Sequence, residues 1–140
     1  MGFGHRTYRG IAGRVLNAIH HGNVDMLRTL FDLGILEADD RFDLTGHNRH
    51  GDDSVPEDNS SIMHIIGKSE CPNYKELITL MLEKGVPLNE PSPCTPLEEA
   101  IMYQNFETAM YLEQIGGTYD AQSMYSMLPP YERFKLANPS

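Results

Sequence analysis

Three glycines, Gly34, Gly85 and Gly116, close segments that share one pattern of apolar and acidic residues. Positions four and seven before each glycine are apolar, and position nine before it is acidic: Leu30, Leu27 and Asp25; Met81, Ile78 and Glu76; Leu112, Ala109 and Glu107. Apolar residues three apart share one helical face, and an acid near the helix start complements the positive end of the helix dipole. A glycine suits the left-handed position that ends a helix. Each segment therefore predicts a short amphipathic helix with its start and stop at matching places.

A second short apolar stretch precedes each of these three helices. The three stretches are residues 15–19, 62–66 and 97–101. Two helices joined by a few residues form an antiparallel helical hairpin. Because one hairpin cannot bury its apolar face alone, about three of them must stack to share a core. The sequence thus predicts an all-α fold.

The spacing of the closing glycines places an insertion between the first two units. Gly34 and Gly85 are 51 residues apart, whereas Gly85 and Gly116 are only 31 apart. Most of the extra length falls in residues 37–60, which hold eight acidic residues, two arginines and few aliphatic residues. This composition predicts a long polar loop. The remaining extra residues are expected near Pro72, between the two helices of the second unit.

The third unit has the most specific motif. Residues 94–101 read Cys-Thr-Pro-Leu-Glu-Glu-Ala-Ile, which resembles the Thr-Pro-Leu-His-x-Ala signature of the ankyrin-repeat family, with Glu98 at the histidine position. The second unit keeps the histidine as His64 but has Ser61-Ile62 in place of Thr-Pro, and the first unit lacks the Thr-Pro start. The resemblance implies an ankyrin-like solenoid of about three stacked hairpins.

On this reading the chain is one domain of 140 residues with five parts. They are repeat 1 at about 12–36, the acidic insertion at about 37–60, repeat 2 at about 61–89, repeat 3 at about 94–117 and a C-terminal cap at about 118–140. We expect the cap to contain a helix over about 121–128, halted by Pro129-Pro130, with Tyr131, Phe134 and Leu136 folding back over it. At the other end, Phe3, Tyr8 and Ile11 are expected to cover the first repeat.

Charge excludes several classes of function. Eleven basic and twenty acidic residues give a net charge of -9, which repels nucleic acid and anionic membranes and favours a basic partner. No apolar run reaches the ~18 residues of a membrane-spanning helix, and the first six residues contain no apolar leader. Two cysteines, Cys71 and Cys94, are too few for a disulfide framework, so we expect an intracellular, cytoplasmic location.

The chain lacks a recognisable catalytic constellation, so we expect no enzymatic activity and no cofactor. His47 and His50, with nearby carboxylates, suggest a metal-dependent enzyme as an alternative, but zinc sites need three or four converging ligands and we expect no bound metal. Gly67-Lys68-Ser69 imitates the end of a phosphate-binding loop, yet Ile62 stands where its first glycine is required. The cysteines are interpreted as small packing or turn residues, and His64 as a hydrogen-bonding core residue near the start of its helix.

The resemblance implies a binding face built from the ends of the first helices and from loop tips. The partner-binding candidates are His20, His21, Asp39, Asp40, Asp52, Asp53, Lys68, Glu90, Met102 and Tyr103. We expect a non-enzymatic module that binds another protein. In a narrower form it is an inhibitor of the immunity or counter-defence type, whose acidic insertion covers a basic surface. A scaffold that self-associates through its ends is a further alternative.

Overall fold

The apolar spacing produces eight helices in a computed structural model that describes residues 9–43, 59–91 and 94–138. They are α1 Arg9–His20, α2 Val24–Asp32, α3 Ile62–Lys68, α4 Tyr74–Glu83, α5 Pro96–Met102, α6 Phe106–Gln114, α7 Ala121–Met124 and α8 Leu128–Ala137. The prediction of an all-α fold is confirmed, apart from one short two-stranded ribbon. In the described ranges, no helix combines the length and apolar composition needed to cross a membrane.

The three closing glycines have the predicted left-handed backbone. Their φ angles are +74° at Gly34, +88° at Gly85 and +110° at Gly116. At each one, the glycine N–H donates to the carbonyl of the residue three positions before the glycine. The N–H of the following residue donates to the carbonyl four positions before the glycine, and all six bonds are 2.7–3.2 Å long. These paired bonds satisfy carbonyls that a helix end would otherwise leave open. The second helix of every unit therefore ends with the same backbone motif.

A second left-handed residue lies twelve positions before each closing glycine. These residues are Gly22, Asn73 and Gln104, with φ of 63°, 58° and 60°. Each lies in the turn that joins the two helices of its unit. The turn holds three residues between α1 and α2 and between α5 and α6, but five between α3 and α4, where Pro72 lies. The extra residues expected near Pro72 are therefore present.

The helices pack as three consecutive pairs in two layers. α1 packs on α2, α3 on α4 and α5 on α6, while α3 also packs along α5. The second helices form a row in which α4 contacts both α2 and α6. The buried side chains between the layers include Ile19, Leu27, Met63, Ile66, Leu77, Ile78, Leu97, Ile101 and Leu112. The core is thus continuous across the three pairs.

Two asparagines bond each unit to the one before it. The Asn73 amide donates to the carbonyl of Gly22 at 3.0 Å. The Asn105 amide donates to the carbonyls of Gly67 and Ser69, at 2.9 and 2.8 Å. The Asn73 bond joins the turns of the first two units, and the Asn105 bonds join the turn of the third unit to the end of α3. Because a buried carbonyl without a partner is costly, these amides fix the register between neighbouring units.

His64, at the third position of α3, connects its own helix start to the next unit. Ser61 accepts a bond from the His64 backbone N–H at 3.3 Å, and its hydroxyl lies 2.7 Å from Nδ1. Nε2 lies 2.6 Å from the carbonyl oxygen of Cys94. Because a carbonyl only accepts, Nε2 carries a proton and donates it to this bond. The prediction that His64 is a hydrogen-bonding core residue is confirmed.

Glu98 has the corresponding role at the third position of α5. Thr95 and Glu98 form a capping box, in which each side chain bonds the other residue's backbone N–H. The second carboxylate oxygen of Glu98 accepts from the N–H of Asp120 at 2.9 Å. The histidine donor thus faces a carbonyl, whereas the glutamate acceptor faces an N–H. Because the group opposite Glu98 is an N–H and not a carbonyl, a glutamate fits at the position where the resemblance implied histidine.

The ends of the acidic insertion belong to the packed fold. β1, Phe42–Asp43, pairs antiparallel with β2, Asn59–Ser60, and Phe42 lies opposite Ser60. Phe42 is 1% exposed and joins the core, and Leu36 is buried with it. The polar loop was predicted over 37–60, but its first residues belong to the packed fold because the buried ring of Phe42 holds them there. Residues 44–58 lie outside the described ranges.

The C-terminal segment differs from the prediction of one helix over 121–128. α7 already ends at Met124, and Pro129 and Pro130 lie in the first turn of α8 instead of halting a helix. The first turn of a helix tolerates proline because its N–H groups have no intrahelical partner there. The proline pair therefore starts a helix in this chain.

The predicted return of the C-terminal aromatic residues is confirmed, but the prediction for Leu136 is wrong. Tyr131 is fully buried, and the Phe134 ring packs 5.5 Å from the Phe106 ring. Leu136 is 83% exposed. Because consecutive residues of a helix point in different directions, the two aromatic residues face α6 and Leu136 faces solvent.

The close approach of α3 and α5 yields a stability prediction. A Cβ at Gly67 would lie 2.7 Å from the Pro96 carbonyl oxygen, whereas a Cβ at Gly13 in α1 would meet nothing within 4 Å. Gly67→Ala should lower the free energy of unfolding by about 1–3 kcal/mol through overpacking. Gly13→Ala should raise it by up to about 1 kcal/mol through helix propensity. Urea unfolding of both variants is the measurement, and equal effects would contradict the packing described here.

Candidate binding surface

Three of the predicted partner-binding residues meet at the ends of α3 and α5. Lys68 is the last residue of α3, Met102 is the last of α5, and Tyr103 caps α5. The Lys68 Nζ lies 5.9 Å from the centre of the Tyr103 ring, within the range of a cation–π contact. We call these three residues the inner-end surface. The structure thus brings together side chains that are about 35 positions apart in the sequence.

Met102 and Tyr103 are exposed because α5 uses its other positions for the core. Leu97, Ala100 and Ile101 are buried, whereas Met102 is 42% and Tyr103 is 58% exposed. The left-handed Gln104 then ends the helix, so the two apolar side chains remain at its tip. Methionine and tyrosine are enriched at the centres of protein interfaces.

His20 and His21 occupy the corresponding place at the end of α1. Both are exposed, and the His21 Nδ1 donates to the Asn17 carbonyl at 2.9 Å. A basic residue in the last turn of a helix complements the negative end of the helix dipole. Interactions with the end of α1 therefore explain the presence of both histidines without a binding role.

The predicted acidic residues have mixed positions. Asp40 is 2% exposed, and its Oδ2 accepts the Glu37 N–H at 2.9 Å, so this carboxylate stabilises a turn. Glu90 forms an ion pair with Arg41, and the two side chains are only 24% and 13% exposed. Burial lowers the pKa of the Arg41 guanidinium, and the nearby Asp39 carboxylate acts in the opposite direction. Asp39 itself faces solvent.

Ligand atoms of Glu37, Asp39 and Asp40 lie within 4.8 Å of one another. The Asp40 carboxylate already accepts the Glu37 N–H, and the three residues come from a single turn. Calcium takes six to eight oxygen ligands, and structural zinc prefers nitrogen and sulfur. We therefore assign no metal to this group.

Several predicted residues lie outside the described ranges. They are Asp52 and Asp53 of the acidic insertion, His47 and His50 of the metal alternative, and Phe3 and Tyr8 of the N-terminal cover. Ile11 lies within α1. The structure therefore adds nothing to the predictions made for these residues.

Neither cysteine is poised as a nucleophile. Burial raises the pKa of the Cys71 thiol to about 11. Burial, and then the neighbouring Glu99 and Glu98 carboxylates, raise the pKa of Cys94 to about 12. Because the thiolate is the reactive form, both environments suppress reaction. Both thiols are half-buried and free of disulfides, consistent with the interpretation of the cysteines as packing or turn residues.

A cavity that the sequence did not reveal lies on the other side of the α5–α6 turn. It has a volume of about 380 Å³, with walls that include Tyr74, Phe106 and Phe134 and a rim that includes Glu70 and Glu107. The rings come from α4, α6 and α8 and meet only because α8 folds back. No local sequence motif predicts this cavity, because the residues that line it are distant along the chain.

The return of α8 depends on a partly buried polar cluster around Glu113. The Tyr131 hydroxyl donates to Glu113 at 2.6 Å, and Lys135 donates to the same oxygen at 3.2 Å. Burial and the bond to Glu113 raise the pKa of the Tyr131 hydroxyl, so it stays protonated and keeps donating. These bonds hold Phe134 at the cavity wall.

Comparisons with family models, with curated proteins and with solved structures found no match to this chain. Its function is therefore inferred from its own residues: the inner-end surface, the cavity beside it and the distribution of charge.

The environments of the cysteines predict slow thiol chemistry. At pH 8 a thiol with a pKa of about 11 is about one part in a thousand ionised, so Cys71 should react with a disulfide reagent on the order of a hundredfold more slowly than an exposed thiol. Cys94 should be about tenfold slower again. Cys71→Ser and Cys94→Ser isolate the two rates, and denaturant should restore both to the ordinary value. Fast reaction in the folded protein would contradict the raised pKa values.

Proposed function

We propose that this chain is a non-enzymatic protein-binding module of the ankyrin-repeat type, a solenoid of about three helical hairpins that contacts its partner through the inner-end surface. The observation that carries the proposal is the exposure of Met102 and Tyr103 at a helix tip, with Lys68 against the tyrosine ring. Repeat proteins bind partners through rows of equivalent positions on successive units. The matched left-handed turns of the three units support this architecture.

The energetics suit binding. Tyrosine offers a large contact area and loses little rotamer freedom, and Lys68 already restrains the Tyr103 ring before a partner arrives. Fully burying a methionine side chain in an interface contributes roughly 1.5–3 kcal/mol. Residues of these types, desolvated at the centre of an interface, commonly supply much of the binding energy.

Charge indicates the kind of partner. The chain has a net charge of -9, and Asp39 adds an exposed carboxylate beside the anchored start of the insertion. Complementary charge accelerates association and excludes acidic competitors. We therefore propose a partner with a basic surface, and in the narrower form an inhibitor of the immunity or counter-defence type that covers this surface.

Self-association is a second candidate because of one observation at the C-terminal end. Tyr125 is 75% and Leu136 is 83% exposed there. An uncovered end of a repeat array offers apolar side chains to another copy. This alternative uses a different surface, so the two proposals can be separated by substitution.

A pair of variants tests the proposed function. Met102→Ser combined with Tyr103→Ala should weaken binding of a partner captured by the wild type by about tenfold to a hundredfold, since central aromatic anchors contribute 2 kcal/mol or more. Leu136→Ser is the matched control and should bind normally. Isothermal calorimetry with the purified partner gives both affinities, and circular dichroism checks that the helices persist.

Sedimentation analysis of the same proteins separates the second candidate. If the wild type is a dimer, if Leu136→Ser dissociates it and if no partner is captured, the self-associating scaffold is supported and the binding module is contradicted. Equal affinity in the double variant and the control would also contradict the role of the inner-end surface.

A further inference from the structure

The cavity beside the inner-end surface has aromatic walls and acceptor groups. Tyr74, Phe106 and Phe134 are half-buried, so each ring has one part in the core and another part open. Phe106 and Phe134 hold each other at a centroid distance of 5.5 Å. At the base, the Asn105 amide already donates to Gly67 and Ser69, so its carboxamide oxygen is the group left to accept a bond. We call this site the aromatic cavity.

The aromatic cavity is negative. Its lining includes the exposed carboxylates of Glu70 and Glu107, and the described residues that line it include no lysine or arginine. The start of α6 also lies in the wall, and the positive end of a helix dipole amounts to roughly half a charge. Two full negative charges outweigh that half charge. The site therefore favours a cation over an anion.

The chain's own Lys75 rests against an aromatic ring next to the aromatic cavity. An adjoining groove of about 270 Å³ shares Tyr74, Glu107 and Phe134 with the aromatic cavity. In this groove the Lys75 Nζ lies 5.6 Å from the centre of the Tyr111 ring. One ring face beside the aromatic cavity is thus already paired with a cation.

We propose that the aromatic cavity binds an arginine side chain of the protein partner. A guanidinium stacks on aromatic rings, pairs with carboxylates through two parallel bonds and donates to a carboxamide oxygen, which matches each group present. Gln104 of the cavity follows Tyr103 directly, and Glu70 lies two positions after Lys68. A partner on the inner-end surface is therefore within reach of the cavity. This inference deepens the proposed function and rests on it.

A titration followed by ¹H–¹⁵N correlation spectra tests the site with small probes. Acetyl-arginine methylamide should shift the backbone signals of residues 70–74 and 104–108 in a saturable way. The citrulline analogue keeps the shape but lacks the charge, and should bind at least about tenfold more weakly, since charged and stacked contacts are lost together. Inorganic phosphate, added at the same ionic strength, should leave these signals unmoved.

Variants identify the groups involved. Glu70→Gln with Glu107→Gln should weaken binding of the arginine probe about fivefold to tenfold, and Phe134→Leu about threefold. Glu76→Gln, on the same helix as Tyr74 but lining the groove that faces α2, is the control for lost charge and should bind as the wild type does. Retained far-ultraviolet circular dichroism shows that each variant is folded.

Three results would overturn the inference: equal shifts with citrulline, larger shifts with phosphate, or an equal loss of affinity in Glu76→Gln. Any of these, with partner binding through Met102 and Tyr103 intact, rejects the arginine site and leaves the proposed function standing. Binding of the arginine probe without any captured partner supports the site and counts against the proposed function.

Discussion

Two left-handed residues twelve positions apart shape each helical pair. The first, as at Gly22 or Gln104, ends the first helix within a three-residue turn, and the second, as at Gly34 or Gly116, ends the second helix with paired backbone bonds. Because these reversals recur at matching places, the second helices line up in one row and the first helices pack beside them. The exposed tip of α5 and the cavity beyond it are consequences of this arrangement.

Polar bonds between units complement the continuous apolar core. Asn73 and Asn105 bond carbonyls of the preceding unit, while His64 and Glu98 reach forward to the following one. An apolar core tolerates some sliding of one pair against the next, whereas a buried amide bonded to two specific carbonyls does not. The bonds of Asn105 therefore also position the base of the aromatic cavity.

Features set by local chemistry were predictable from the sequence. The glycine ends, the Thr95 cap with Pro96 behind it and the first-turn acids all depend on residues within one helical turn. The anchoring of Phe42, the start of α8 at the proline pair and the aromatic cavity depend on contacts between distant segments. Of the candidate binding residues, Met102 and Tyr103 were predicted from their place at the end of the first helix of the third unit, but the contact of Tyr103 with Lys68 required the packing of α3 on α5.

The pairing of His64 with a carbonyl, and of Glu98 with an N–H, gives the array a direction and an order. A copy of the third unit placed where the second unit lies would turn a carboxylate toward the Cys94 carbonyl, so two acceptors would meet in the core. The units therefore cannot be shuffled or duplicated freely by recombination. Lengthening this array requires that the new unit and its successor change together, one supplying a donor and the other an acceptor.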